Sequence, residues 1–183
     1  HPRPDHRHIR VTDCYDLASS LAVEFNLEGN PFAPRMPSDR DGIATYPGFM
    51  ALVEATRPAQ VTLVPDTNAQ LTSDHGFDLS QDAERLAPII ASLKAMGCRV
   101  SLFMDPEPKS MSAAAEIGVD RVELYTESYA VAHAAGHFER VLCQFSEAAV
   151  AAHDAGLGIN AGHDLNLTNL PDFPIPPLLA VSI

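Results

Sequence analysis

Val61-Thr-Leu-Val-Pro-Asp66, continued by Thr67-Asn-Ala-Gln-Leu-Thr72-Ser-Asp-His75-Gly-Phe-Asp78, is the stretch that decides the fold. Val61 to Val64 is a short apolar run rich in β-branched residues, the composition of a strand buried on both faces. Pro65 ends it, because proline cannot donate to a sheet ladder. A long polar loop of hydroxyls, carboxylates and one imidazole follows. The next helix is expected from Ser80, placed as an N-cap ahead of Asp82 and Glu84. A buried strand opening onto a polar loop is how α/β enzymes build sites. Such a loop taken alone is more often a solvated connector; several other strands of this chain end the same way, which favours the site.

Outward from that stretch, helix and strand patterns alternate. Thr12 or Asp13 is expected to cap a short helix through about Leu21. Ala22 to Glu28 alternates, with Val23, Phe25 and Leu27 on one side and Glu24, Asn26 and Glu28 on the other. Asn30 to Gly42 is a proline- and charge-rich loop, and Thr45 to about Thr56 is read as helical. Leu86, Ile89, Ile90, Leu93 and Met96 carry a helical stripe that Pro88 should kink or break. Strands are expected at Arg99 to Met104, Arg121 to Thr126, Leu157 to Asp164 and from Leu178. Helices are expected from about Glu107 to Ile117 and from near Gly136 to Gly156, with a loop before the second. Alternation of this kind requires parallel strands with right-handed crossovers, an α/β class. Roughly six strands are visible, against the eight of a closed barrel. Neither a dinucleotide fingerprint nor a P-loop is present. The reading is therefore an incomplete (β/α)8 TIM barrel, preferred over a doubly wound sheet, in a single domain over residues 1–183.

The 183 residues suit one domain with a sizeable core, and the 46% hydrophobic fraction contains no run long enough to cross a membrane. A net charge of −12 argues against non-specific nucleic-acid binding, which needs a basic face. Cys14, Cys98 and Cys143 form no CxxC pair, which fits reduced thiols in a cytoplasmic protein rather than disulfides or a zinc site. The chain opens directly on His1-Pro-Arg-Pro-Asp-His-Arg-His8 and closes on a strand-like run, so it is expected to be a fragment.

Polar groups stand at strand ends. Glu123 sits mid-strand between Val122 and Leu124, and Glu24, Asn26 and Glu28 share one parity. A carboxylate in a barrel lumen costs several kcal/mol unless paired. That leaves either a structural network or a polar lumen that binds substrate. His163 after Asn160-Ala-Gly162 fits the second reading, since imidazole is poised for proton transfer near neutral pH. Arg3 with His8 has the groups to clamp a phosphate. A metal reading of His1, Asp5, His6, His8 and His163 remains open beside it, although the spacing matches no standard ligand set. His133, His137 and His153 are read as surface residues.

At this point the chain resembles the pyridoxine 5′-phosphate synthase family of bacterial vitamin B6 synthesis. The resemblance rests on His1-Pro-Arg-Pro-Asp-His-Arg-His8-Ile, Glu24-Phe-Asn-Leu-Glu28-Gly, Gln60-Val-Thr-Leu-Val-Pro65, Leu71-Thr72-Ser-Asp-His-Gly-Phe-Asp78, Val100-Ser-Leu-Phe, Arg121-Val-Glu123-Leu-Tyr-Thr126 and Asn160-Ala-Gly-His163-Asp-Leu-Asn166, in family order. It implies a β/α barrel, usually a homo-octamer, without metal or organic cofactor. It implies condensation of 1-deoxy-D-xylulose 5-phosphate with 3-amino-2-oxopropyl phosphate, releasing phosphate and water. By the same resemblance His1 and Glu28 are proton acceptors, His163 is a proton donor, and Glu123 stabilises charged intermediates. Arg3, His8 and Thr72 would bind the deoxyxylulose phosphate, and Asp164 falls where the aminoketone phosphate is held.

The family's first strand has no counterpart before His1, and the Gly-His motif expected after Ile183 is missing. The loop from Asn30 to Gly42 is longer than in the shorter members. The fragment alone is accordingly expected to fold poorly and to be inactive, because an unclosed barrel exposes strand edges. Two other readings remain: a metal-dependent barrel hydrolase and a non-catalytic sugar-phosphate-binding barrel.

Overall fold

Strand β2, Gln60–Leu63, is buried at every position, the polar Gln60 and Thr62 included. It pairs in parallel with β1, Asn26–Gly29, in the register Leu27 to Val61 and Glu28 to Thr62. A computed structural model describes residues 1–38, 42–67, 69–175 and the backbone of 178–181. The chain divides into two compact units, one formed by His1–Asp74 with Pro88–Ser101 and the other by His75–Ala87 with Leu102–Ile183.

The first unit holds helix α1 (Val11–Ser20), β1, helix α2 (Phe49–Thr56) and β2. It also holds the later part of helix α3 (Leu79–Ala95) and the first residues of β3 (Arg99–Met104). Strand order here is β1-β2-β3. The core is Val11, Cys14, Leu27, Phe49, Leu52, Val53, Val61 and Leu63, and full burial of each large apolar side chain contributes about 1.5–3 kcal/mol. Several sequence expectations shift. Strand β1 is only four residues long, and Val23, expected to share one side of it with Phe25 and Leu27, lies outside it and is 73% exposed. Glu24 faces solvent in an ion pair with Arg99 at 2.5 Å rather than entering a lumen. Helix α1 starts before Thr12, because the Asp13 carboxylate reaches back to accept the Arg10 N–H at 2.8 Å. Helix α2 starts only at Phe49: Gly48 holds φ at 96°, and Tyr46 is engaged in an antiparallel bridge with Met36. Of the loop from Asn30 to Gly42, positions 39–41 lie outside the described residues.

The second unit holds the start of α3 and the end of β3, then α4 (Met111–Glu116), β4 (Arg121–Tyr125) and α5 (Glu127–Ala134). Helix α6 (Glu139–Asp154), β5 (Gly158–Gly162) and β6 (Leu178–Val181) complete it, in the order β3-β4-β5-β6. β4, β5 and β6 are parallel, with Glu123 opposite Asn160 and Tyr125 opposite Gly162. Sequential parallel strands joined through helices make this an α/β fold with the strand order of a TIM barrel. Asp78, not Ser80, caps α3: it accepts the Ser80 N–H at 3.0 Å and the Ser80 hydroxyl at 2.7 Å. Those bonds, with one from Gln81, hold the Asp78 carboxyl below its usual range. Pro88 lies inside α3 without ending it. Residues 127–134, expected as loop, form α5; only Tyr129 and Ala132 are buried there, too few to write a helical stripe. Ser182 and Ile183 of the expected last strand lie outside the described residues.

Candidate active site

Glu28 belongs to β1 because the strand alternates: Leu27 is buried and its neighbour faces the other way, partly exposed. Nδ1 of His1 stands 2.9 Å from Glu28 Oε1. An ionised carboxylate only accepts, so Nδ1 carries the proton and Nε2 is the nitrogen left to take one. His1 Nε2 lies 3.9 Å from Asp66 Oδ2. That same oxygen receives the Arg3 Nη2 donor and, at 2.7 Å, the Ser73 hydroxyl. Arg3 Nη1 donates to the Gln70 carbonyl at 3.2 Å, and the Asn30 amide donates to the Asp66 carbonyl at 2.7 Å. His1, Arg3, Asn30, Tyr46 and Asp66 line a cavity of about 190 Å³. Within the first unit a His1–Glu28 contact therefore stands beside a small cavity that His1 lines, with the Arg3 cation in its wall. Burial raises the Tyr46 hydroxyl well above its ordinary value, so that group stays a neutral member of the lining.

His8 and Thr72, expected beside Arg3, are exposed and do not line this cavity. The His8 imidazole is held below its ordinary pKa, first by partial burial and then by the charges of Arg3 and Arg7. Of the three expected phosphate ligands of the deoxyxylulose substrate, the cavity gathers Arg3 alone.

Glu123, His163 and Asp164 belong to the second unit. Glu123 is 3% exposed in β4, opposite Asn160. His163 follows β5 with φ 76°, and Asp164 with φ 57°. A left-handed backbone at two successive non-glycine residues costs of order 1–3 kcal/mol each and is held here by hydrogen bonds. Thr126 Oγ1 donates to the carbonyls of Gly162, at 2.6 Å, and His163, and the Asn169 amide donates to the Asp164 carbonyl at 2.9 Å. The His163 ring packs against Phe103 and Tyr125, with centroids 4.9 and 5.5 Å away. Asp164 is exposed at a groove it shares with His133, Asn166 and Asn169. His133, read as a surface residue, is half-buried between the rings of Tyr129 and Phe138 and pairs with Asp172 at 3.0 Å.

Asp66, Ser73 and Asn30 were not singled out by sequence reasoning. Asp66 directly follows the strand-ending Pro65, and that position was the available signal. Among the described residues, no three His, Cys, Asp or Glu side chains gather as a metal would require. No described helix is long and apolar enough to cross a membrane.

The family model described as "Pyridoxal phosphate biosynthesis protein PdxJ" matches residues 1–183. Pyridoxine 5′-phosphate synthase of Xanthomonas campestris pv. campestris (strain B100) is 55% identical over the whole chain, which covers 71% of that protein. The protein of the same name from Xanthomonas oryzae pv. oryzae (strain PXO99A) is 54% identical with the same coverage. That from Xylella fastidiosa (strain M12) is 51% identical, with the chain spanning 70% of its length.

Proposed function

Because this chain belongs to the family of the pyridoxal phosphate biosynthesis protein PdxJ, a family of pyridoxine 5′-phosphate synthases, we propose that His1 and Glu28 carry proton transfers of that synthesis. The substrates are 1-deoxy-D-xylulose 5-phosphate and 3-amino-2-oxopropyl phosphate; the products are pyridoxine 5′-phosphate, inorganic phosphate and water. The amine adds to a ketone, water leaves the carbinolamine, phosphate leaves the sugar, and the ring closes. Each step moves a proton, so the site needs groups that accept and return protons near neutral pH.

The observation that carries this reading is the 2.9 Å contact between His1 Nδ1 and Glu28 Oε1 beside a cavity walled by Arg3. Glu28 orients the imidazole and stabilises its charged form, and Nε2 takes the proton. Arg3 supplies positive charge for an anionic substrate, although two of its donors are already engaged by Asp66 and Gln70. His163 as proton donor, Glu123 as stabiliser of charged intermediates, and His8, Thr72 and Asp164 as substrate ligands complete the assignment, supported by family membership and motif order. The three free thiols support a cytoplasmic setting. A homo-octameric state belongs to the same reading and is testable by light scattering.

The test is product formation from the two phosphorylated substrates by the chain restored to the full length of its relatives, as parent and as Glu28→Gln. The expected result is pyridoxine 5′-phosphate from the parent and a loss of ~10²-fold or more in the variant. A variant as active as its parent would remove Glu28 from the mechanism.

A further inference from the structure

Asp66 lies in the segment after β2, 5% exposed, and it is anchored twice over. Its main-chain oxygen accepts from the Asn30 amide at 2.7 Å, and its Oδ2 accepts from Arg3 Nη2 and from Ser73 at 2.7 Å. His1 Nε2 stands 3.9 Å from that oxygen. This is too far for a hydrogen bond and close enough for a strong charge interaction in a buried setting. Arg3 and Asp66 are each only 3% exposed at the side chain, so water screens them little.

We propose that Asp66 is a positioning residue for the proposed proton transfer, docking the His1–Arg3 segment and holding its fixed charge at His1 Nε2. This rests on the reading of His1 and Glu28 as the acid/base pair. Asp66 acts through its neighbours. Its Oδ2 is occupied by two donors, one of them cationic, and a carboxylate so bonded keeps its charge rather than taking a proton. When His1 takes a proton at Nε2, the new imidazolium lies between two carboxylates, Glu28 from β1 and Asp66 from the segment after β2. Arg3, on the same segment as His1, is the opposing charge, and Asp66 neutralises it. Among the described residues lining the cavity, Tyr46 is the remaining titratable side chain, and burial keeps it neutral. Loss of the Asp66 charge therefore disfavours the imidazolium in two ways: an anion is removed and a buried cation is uncovered.

The experiment measures product formation against pH for the purified protein at the full length of its relatives and for its Asp66→Asn, Ser73→Ala and Glu28→Gln variants, with circular dichroism to confirm folding. Asp66→Asn is expected to lower kcat by roughly tenfold or more, with KM changed less. Its acid limb should move to lower pH by about one unit. Ser73→Ala keeps the charge and removes one donor from it, so its acid limb should move the other way, to higher pH. A folded Asp66→Asn whose acid limb stays in place overturns the inference, because a merely structural role moves yield and stability but not that limb. If Asp66→Asn does not fold, the sign of the Ser73→Ala shift decides, and an unmoved or lowered limb overturns it. A fully active Glu28→Gln sinks the acid/base reading and this inference with it. An inactive Glu28→Gln beside an unmoved Asp66→Asn limb sinks the Asp66 role alone.

Discussion

The Thr126 hydroxyl donates to the main-chain oxygens of both Gly162, at 2.6 Å, and His163, tying the end of β4 to the turn that presents the His163 ring. Thr126→Val keeps the shape and removes the donor. The Gly162 carbonyl keeps the Thr126 N–H at 3.0 Å, whereas the His163 carbonyl loses this donor; that loss costs about 1–3 kcal/mol, and His163 loses the contact that holds its left-handed backbone. Thermal melting should show the stability loss. If His163 serves as proton donor, kcat should fall by more than that melting shift alone explains, since a misplacement near 1 Å costs ~10²-fold.

Gly76 and Gly136 separate two reasons for a glycine. A Cβ at Gly76 would overlap backbone atoms of Met104 and Asp105, which have no side-chain freedom to retreat. At Gly136 the space is open, but φ is +76°. Gly76→Ala should therefore destabilise by about 3 kcal/mol or more through overpacking. Gly136→Ala should cost only about 1–2 kcal/mol for the left-handed backbone. Chemical denaturation of the two variants reads the order, and equal losses would contradict it.

The three cysteines should react at very different rates. Cys14 and Cys98 are buried, and burial pushes the Cys14 thiol up to about 11 and the Cys98 thiol above its ordinary value. Thiolate is the reactive form, so neither should be labelled in the native state at neutral pH. Cys143 is exposed on α6. A thiol reagent should titrate one equivalent quickly and the other two only in denaturant, and Cys143→Ser should abolish the fast phase.

His8 gives a pH dependence of known sign. Its pKa is lowered in the folded chain, so the unfolded chain binds more protons through the acidic range, and stability attributable to His8 rises with pH. That contribution is fully present above the ordinary value of 6.5 and is lost as pH falls through the lowered folded pKa. His8→Gln should therefore show a shallower loss of stability than the parent between neutral and mildly acidic pH. If His8 binds phosphate, a phosphorylated substrate should also raise its pKa, which histidine NMR titration would follow.

Where sequence and structure agree, the reason is local. The expected bounds of β3, Arg99–Met104, match the structure because Val100 and Leu102 to Met104 form a mostly apolar run that Gly97 and Pro106 punctuate. α5 went unread because its burial is confined to Tyr129 and Ala132. Val23 misled because alternation marks a strand face only where something covers that face, and at 73% exposure nothing described here does.

The sequence by itself determined the α/β class, the order of the strands and the family, since apolar runs, turn residues and ordered motifs are all written along the chain. Its motifs also put His1, Glu28 and Arg3 forward as candidate site residues, which the structure gathers in one unit. Only the tertiary structure decided that Glu28 touches Nδ1 of His1, that His8 and Thr72 stay outside the cavity, and that Asp66 closes on Arg3. Arg3 and Asp66 are 63 residues apart. No periodicity spans that separation; only the packing of the His1–Arg3 segment against the segment after β2, with both charges buried, brings the pair together.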